Sequence, residues 1–121
     1  MKRVNILVMT LLLASCKPMM GDWEGSCDLD ALSMEIEIEL EVEEMVWGRF
    51  EGEGTISPVG FPEEDGDLEG DLIGNEIEME LELDDWTLDF VGKRDRNEIE
   101  GTCAQDLGNV RIEGNFSLER D

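Results

Sequence analysis

Alternation of apolar and acidic residues is the feature that most constrains the fold of this chain. In residues 34–43 (MEIEIELEVE) and 76–83 (EIEMELEL), the two kinds of side chain alternate with few interruptions. Successive side chains of a β-strand point to opposite faces, so a period of two buries one face and exposes the other. Glutamate has weak strand propensity, but the need for one buried face outweighs it. Both segments are therefore predicted to be strands.

Alternation of this kind extends over most of the chain after residue 21. Gly74-Asn75, Asp95-Arg96-Asn97 and Gly108-Asn109 separate alternating runs and supply residues that tolerate the positive φ of hairpin turns. The longest loop is predicted at residues 57–66. The repeated Asn-Glu-Ile-Glu at 75–78 and 97–100 favours a meander of similar hairpins. The predicted strands are 22–29, 34–43, 46–56, 67–73, 76–83, 86–93, 98–104 and 109–119.

Glycines recur on the face that alternation assigns to the interior. Strand glycines allow tight bends and close backbone approach, which a small barrel needs in order to close. Closure also removes exposed sheet edges. The sequence therefore predicts an all-β fold, a small antiparallel up-and-down β-barrel of about eight strands. The residues assigned to the inner face are Trp23, Gly25, Cys27, Leu29, Met34, Ile36, Ile38, Leu40, Val42, Val46, Gly48, Phe50, Gly52, Gly54, Ile56, Leu68, Gly70, Leu72, Ile77, Met79, Leu81, Leu83, Trp86, Leu88, Phe90, Gly92, Ile99, Gly101, Cys103, Val110, Ile112, Gly114, Phe116 and Leu118.

The N-terminus has the features of a secretory signal. Lys2 and Arg3 precede an apolar run from Val4 to Leu13, which is too short to span a bilayer. The ending Leu13-Ala14-Ser15-Cys16 resembles the lipobox of bacterial lipoproteins. This resemblance implies cleavage before Cys16, a diacylglyceryl group on its sulfur, and an acyl chain on its new amino group. An ordinary signal with an incidental cysteine is the alternative.

These features divide the chain into three parts. Residues 1–15 are assigned to the signal peptide, 16–21 to a lipidated tether, and 22–121 to the barrel domain. The expected location is the bacterial cell envelope, with the membrane as partner through the lipid on Cys16. Lys17 follows Cys16 where an aspartate would mark inner-membrane retention in enteric bacteria, and by that resemblance the outer membrane is favoured.

The start of the predicted barrel has a second resemblance. Gly21-Asp22-Trp23-Glu24-Gly25 resembles the first strand of avidin-like and lipocalin-like barrels, which carry Gly-x-Trp near their start. The glycine-punctuated strands and the closing Phe116-Ser117-Leu118-Glu119-Arg120 are similar to many small bacterial lipoproteins. The avidin-type ligand site relies on polar and aromatic residues inside the barrel, and the predicted interior contains almost none. No ligand is therefore carried over from the resemblance.

Two cysteines remain after Cys16 is assigned to lipidation. Cys27 and Cys103 form an even pair in an exported protein, and an oxidising compartment favours a disulfide between them. A loop of this length is stabilised by roughly 4–5 kcal/mol in the chain-entropy model. Free buried thiols are the alternative, and a metal site is not expected from two cysteines in a chain without histidine. No cofactor is predicted.

The charge of the chain restricts its partners. There are 32 acidic residues and nine Lys and Arg, for a formal net charge of −23. A phosphate backbone would be repelled, so nucleic acid is not an expected partner. The partners compatible with rows of glutamates at 35–43 and 76–82 are cations, basic peptides or basic proteins. The preferred interpretation is a solvated surface that needs no partner.

One segment resembles a calcium loop. Asp65 to Glu76 has acids at positions 1, 3 and 5, glycine at position 6 and glutamate at position 12 of a twelve-residue pattern. Position 5 is Glu69 where Asp or Asn is usual, and strand-like alternation follows where a helix should leave the loop. The competing interpretation is a hairpin across Gly74-Asn75, with its acids facing solvent.

The sequence favours binding over catalysis. The chain has no histidine, so it lacks the Ser-His and Cys-His systems of nucleophilic catalysis, and no enzymatic activity is expected. Trp23 and Trp86 are assigned to the core or the barrel ends, and the out-of-phase Trp47 to a rim, the outer face or a turn. The first hypothesis is a lipid-anchored binding or interaction module with an acidic exterior. The alternative is a structural envelope protein with a filled barrel and no ligand.

Overall fold

Eight antiparallel strands, described for residues 18–120 by a computed structural model, follow one another in sequence order. The barrel closes where the first strand pairs with the last, from Trp23 opposite Arg120 to Asp28 opposite Asn115. The all-β up-and-down barrel predicted from the alternation is confirmed. The predicted signal peptide and Cys16 lie outside the described residues. The strands are β1 (Gly21–Leu29), β2 (Met34–Val46), β3 (Arg49–Pro58), β4 (Glu64–Ile73), β5 (Glu76–Glu82), β6 (Thr87–Asp95), β7 (Glu98–Asp106) and β8 (Arg111–Arg120).

The strand connections alternate between the two ends of the barrel because successive strands run in opposite directions. We call the end that carries the N-terminal segment the proximal end. It consists of residues 18–20, the turns at 47–48, 74–75 and 96–97, and Arg120. The opposite, distal end consists of the connections 30–33, 59–63, 83–86 and 107–110. A short 3-10 helix, Asp30–Leu32, forms part of the distal connection between β1 and β2.

One apolar core fills the barrel. Its largest fully buried side chains include Trp23, Phe50 and Phe90, and Phe90 packs edge-to-face on Phe116 with ring centroids 5.0 Å apart. No polar or charged residue between 18 and 120 is buried. The alternation thus sends apolar side chains inward and acids outward, as expected for strands with one buried face.

A bulge in β2 changes which residues face inward. The pairing of β2 with β3 shifts between Val42 and Glu44, which adds one residue to β2. Met45 is consequently buried, and Val46 is 58% exposed. The prediction that Val46 faces the interior is wrong, because it placed Val46 in one strand with Phe50. In the structure Val46 ends β2 beyond the bulge, and the turn at 47–48 separates it from β3.

Four further features differ from those predicted from the sequence. Val110 is 49% exposed, because it lies in the connection before β8, and Gly48 lies in the β2–β3 turn with φ +85°. The loop predicted at 57–66 is shortened to 59–63 by the longer β3 and β4. Met19, assigned to the tether, is buried in the core, and β1 begins at Gly21.

Cys27 and Cys103 form a disulfide between β1 and β7. These strands are not neighbours, since β8 lies between them. Two strand spacings in a flat sheet are about 9.5 Å, yet the two Cα atoms are 6.2 Å apart. The wall therefore bends sharply at β8. Gly114 lies at this bend, opposite Cys103, and a Cβ atom there would stand 1.8 Å from the carbonyl oxygen of Asp28.

Candidate functional site

The acidic rows lie on the outer surface and face one another across strands. Glu39 of β2 pairs with Glu24 of β1, and Glu80 of β5 stands between Glu69 of β4 and Asp89 of β6. Partial burial, reinforced by Asp89 and other neighbouring carboxylates, raises the pKa of Glu80. Like charges directly opposite one another destabilise a sheet. The outer wall therefore holds unfavourable charge that a cationic partner or salt would relieve.

The β2 bulge brings three carboxylates together. Oxygens of Glu41, Glu43 and Glu53 lie within 4.8 Å of one another, and all three residues are exposed. The carboxylate of Glu53 is the main reason why the pKa of Glu43 is raised, followed by slight desolvation and by Glu41. The sequence did not single out this group, because the register that aligns Glu53 with β2 depends on the bulge.

The segment from Asp65 to Glu76 does not form a calcium loop. Residues 65–73 belong to β4, and Gly74-Asn75 is the turn into β5, as the hairpin interpretation predicted. The acids of β4 alternate along its outer face, and the hydroxyl of Thr55 donates to Asp65 Oδ1 at 2.8 Å. An extended strand spreads these oxygens apart and does not gather them around one ion.

Two arginines are paired with acids on the outer wall. Arg111 Nη1 lies 2.7 Å from Asp89 Oδ2 and 3.5 Å from Asp106 Oδ2. The hydrogen bond to Asp89 raises the pKa of the Arg111 guanidinium. Arg49 Nε lies 3.5 Å from Asp71 Oδ1. The Arg49–Asp71 pair is largely exposed, and exposed pairs contribute little to stability. The Arg111–Asp89 pair is only partly exposed.

The proximal end is closed by contacts around Trp23. Its indole Nε1 donates to the Met19 carbonyl oxygen at 2.9 Å, and the Arg120 guanidinium lies over the ring at 4.7 Å from the centroid. Arg120 also donates to the carbonyl oxygens of Pro18 and Met20 and, through Nη2 at 2.9 Å, to Asn97 Oδ1. Burial, aided by the nearby Arg94, lowers the pKa of Arg120. Trp23 is thus a core residue, as predicted.

Apolar side chains are exposed at the distal end. They come from three connections, those between β1 and β2, β3 and β4, and β7 and β8. The Val59 N–H donates to the carbonyl oxygen of Glu35, which fixes the β3–β4 loop beside the start of β2. These residues are far apart in the chain, so the sequence alone does not group them. The exposed residues are Leu32, Val59, Phe61, Leu107 and Val110.

Shallow acidic concavities mark the outer wall. One of about 520 Å3 lies over Gly25, Ser26 and Ser117, with glutamates of β1, β2, β7 and β8 around it. Another of about 380 Å3 lies between β3, β4, β5 and β6 and is bordered by Arg49 and Arg111. Both are open to solvent and polar, unlike the mostly apolar, enclosed sites that take small molecules.

The fold is similar to two solved β-barrels. The structure of EF1p2_mFAP2b bound to DFHBI matches with a TM-score of 0.75 at 6% identity, over 88% of this chain and 96% of that chain. A fluorescence-activating β-barrel obtained by de novo design matches with a TM-score of 0.68 at 15% identity, over 87% of this chain and 95% of that chain. At these identities the likeness concerns the fold alone. No protein-family model matches the sequence, and no curated protein is significantly similar to it.

No helix within residues 18–120 has the length and hydropathy needed to cross a bilayer.

Proposed function

We propose that the chain is a bacterial envelope lipoprotein, anchored through a lipid on Cys16, whose barrel binds a basic protein or peptide at its distal end. The observation that carries this proposal is the composition of that end, where exposed apolar side chains stand among acids. Apolar groups rimmed by polar residues are typical of interaction sites. The barrel is proposed to be a binding module and not an enzyme.

The distal end combines exposed apolar side chains with acids, a composition suited to a basic partner. Phe61 is 62% exposed and Val59 68% exposed at the tip of the β3–β4 loop. Acids belong to the same end, among them Asp30, Glu63 and Asp84. Apolar side chains would supply contact area, and the acids would steer a basic partner and select its orientation.

The packed core supports a binding site on the outer surface of the barrel and not in its interior. Trp23, Phe50 and Phe90 are fully buried in the interior, and no polar residue between 18 and 120 is buried there to orient a ligand. Internal ligand sites need space and a few placed polar groups. Binding of a small molecule inside the barrel is therefore not part of this proposal.

Support for the lipid anchor comes from the Leu-Ala-Ser-Cys ending at residues 13–16. Met19 is already part of the packed barrel, so only Lys17 and Pro18 separate it from Cys16. A diacyl or triacyl anchor holds a protein stably on a membrane. We propose the outer membrane as its location, on the sorting resemblance of Lys17.

Site-specific photocrosslinking in intact cells of the native host tests the partner proposal. A photoreactive amino acid replaces Phe61 in one strain and Val91 in another, because Val91 is a comparably exposed apolar residue on the outer wall of β6. We expect the probe at position 61 to yield a discrete adduct with a basic protein, and the probe at position 91 to yield none.

The alternative, a structural envelope protein without a ligand, predicts no discrete adduct from either position. It also predicts no effect of distal substitutions. Under the binding proposal, Val59→Ser combined with Leu107→Ser should abolish the adduct formed at position 61, while circular dichroism remains that of the wild-type barrel. Equal adducts from positions 61 and 91 would contradict a distal binding site.

A further inference from the structure

We propose that the proximal end of the barrel is a membrane-docking surface that contacts an anionic phospholipid bilayer directly. This inference rests on the lipid anchor proposed above and adds to it a defined orientation. In this orientation Trp47, Val46 and Ile73 enter the interface of the bilayer, and neighbouring cations meet the phosphate groups. The distal end then points away from the membrane, toward its partner.

The position of residue 18 places this end near the bilayer. Pro18, the first described residue, lies at the proximal end, where its carbonyl oxygen accepts from Arg120. Cys16 precedes it by two residues, and two extended residues span at most about 7 Å. An acyl group on Cys16 would therefore hold the proximal rim close to the headgroups.

Three exposed apolar residues lie on one side of this rim. Trp47 is 100% exposed at the tip of the β2–β3 turn, Val46 is 58% exposed, and Ile73 is 74% exposed. The Leu72 N–H donates to the Gly48 carbonyl oxygen at 2.7 Å, which ties the tip of this turn to the end of β4 beside Ile73. Tryptophan is enriched at membrane–water interfaces, where its ring sits at headgroup level.

The cations of the barrel are concentrated at the same end. The described residues include six Lys and Arg, and all except Arg111 lie at or next to the proximal turns or at the end of β8. Within residues 18–120, Lys93, Arg94, Arg96 and Arg120 form no ion pair, and Arg94 Nε is buried without a hydrogen-bond partner.

The distribution of charge favours an anionic bilayer as the binding partner of the proximal end. Acids such as Glu76, Asp95 and Glu98 share the rim, but it carries most of the positive charge of a strongly acidic domain. The distal end also exposes apolar residues, yet its one described cation, Arg111, is paired with Asp89 and Asp106. Anionic headgroups attract basic residues near the surface and repel acidic ones. Of the two ends, the proximal end is the one suited to face them.

Quenching of tryptophan emission by brominated lipids tests this orientation. The mature protein, purified from its own envelope and weighed by mass spectrometry, is reconstituted on the outside of vesicles of phosphatidylcholine and phosphatidylglycerol, with bromine at the upper acyl positions. The difference between wild type and Trp47→Phe isolates the emission of Trp47. We expect brominated vesicles to quench that emission by about half or more, as for an interfacial ring. Leu107→Trp in the Trp47→Phe background reports on the distal end and should remain unquenched.

Flotation of the same vesicles separates anchoring from docking. Protein that floats with the vesicles while Trp47 stays unquenched overturns the docking proposal and leaves the anchor intact. If the mass shows no lipid on Cys16 but the protein floats and Trp47 is quenched, the anchor proposal is overturned and the docking proposal is supported. If the protein does not float, both proposals are overturned. Equal quenching at positions 47 and 107 also overturns the orientation.

Charge-neutral variants test the role of the cations. Lys93→Gln combined with Arg96→Gln should reduce the quenching of Trp47 on vesicles with phosphatidylglycerol and have little effect on vesicles of phosphatidylcholine alone. Arg111→Gln, the matched distal control, should leave quenching unchanged on both. Identical results for the proximal and distal variants would overturn the assignment of headgroup contacts to the proximal cations.

Discussion

Gly114 lies where the barrel wall bends at β8. Its Cα lies opposite Cys103, and β8 there approaches the backbone of β1 so closely that no side chain fits. Alternation places Gly114 on the inner face, but it does not indicate that the neighbour would be a carbonyl oxygen of β1. The glycine allows the curvature that brings Cys27 within bonding reach of Cys103.

Substituting Gly114 should therefore be costly. We expect Gly114→Ala to lower the free energy of unfolding by about 3 kcal/mol, because its Cβ would overlap the Asp28 carbonyl oxygen and force the strands apart. Gly60→Ala is the control, since nothing lies within 4 Å of its Cβ and only its positive φ is strained. That variant should lose about 1 kcal/mol. Urea denaturation measures the free energy of unfolding of both variants. Equal losses would argue against a close backbone approach at Gly114.

At the scale of elements, the strands follow from the sequence and their irregularities do not. The uninterrupted alternation in residues 34–42 is sufficient to predict β2 and its buried face, because a half-buried strand has few other solutions. The bulge beyond Val42 is set by pairing with β3, so the burial of Met45 and the exposure of Val46 could not be predicted.

The candidate surfaces were harder to predict from the sequence than the strands. Trp47 stood out because it broke the alternation, and of its three predicted places (a rim, the outer face or a turn) the structure shows the turn, between β2 and β3. The grouping of Phe61 with Val110, or of Trp47 with Ile73, depends on which connections share an end. That information comes from the topology of the closed barrel and not from local sequence.

The link between β1 and β7 gives the element-scale prediction. The disulfide joins residues 76 apart in the chain and reduces the entropy of the unfolded state. We expect Cys27→Ala combined with Cys103→Ala to lower the free energy of unfolding by roughly 4 kcal/mol. Reductant should destabilise the wild type in urea and have no effect on the double variant. A double variant as stable as the oxidised wild type would contradict a stabilising bridge.

At the scale of the whole molecule, electrostatic repulsion opposes folding. The acids outnumber the cations by more than three to one, and the strand register sets several glutamates opposite other acids. Repulsion, mainly from Glu53, raises the pKa of Glu43 above its ordinary value of 4.5, and partial burial followed by repulsion from Asp89 raises that of Glu80. The folded state therefore binds protons more readily at these groups than the unfolded chain.

This charge distribution predicts a protein that is more stable in mild acid. Because the folded pKa values are raised, stability increases as the pH falls from 7 through those values toward 4.5, and it decreases as the pH rises again. We expect the melting temperature to be higher near pH 5 than at pH 7. Sodium chloride should raise the melting temperature at pH 7, because salt screens the repulsion between acids. Glu43→Gln with Glu80→Gln should flatten part of the pH profile. A melting temperature that falls on acidification to pH 5 would contradict this account.

Native mass spectrometry of the protein purified from its own envelope tests the central claim most directly, because one spectrum reports the anchor, the disulfide and any retained ligand. The account predicts a chain that begins at Cys16, carries the mass of its acyl groups, lacks two protons for the Cys27–Cys103 bridge and retains no small molecule. An unlipidated mass would contradict the envelope lipoprotein. A stoichiometric small-molecule adduct would contradict a barrel that acts through its surface.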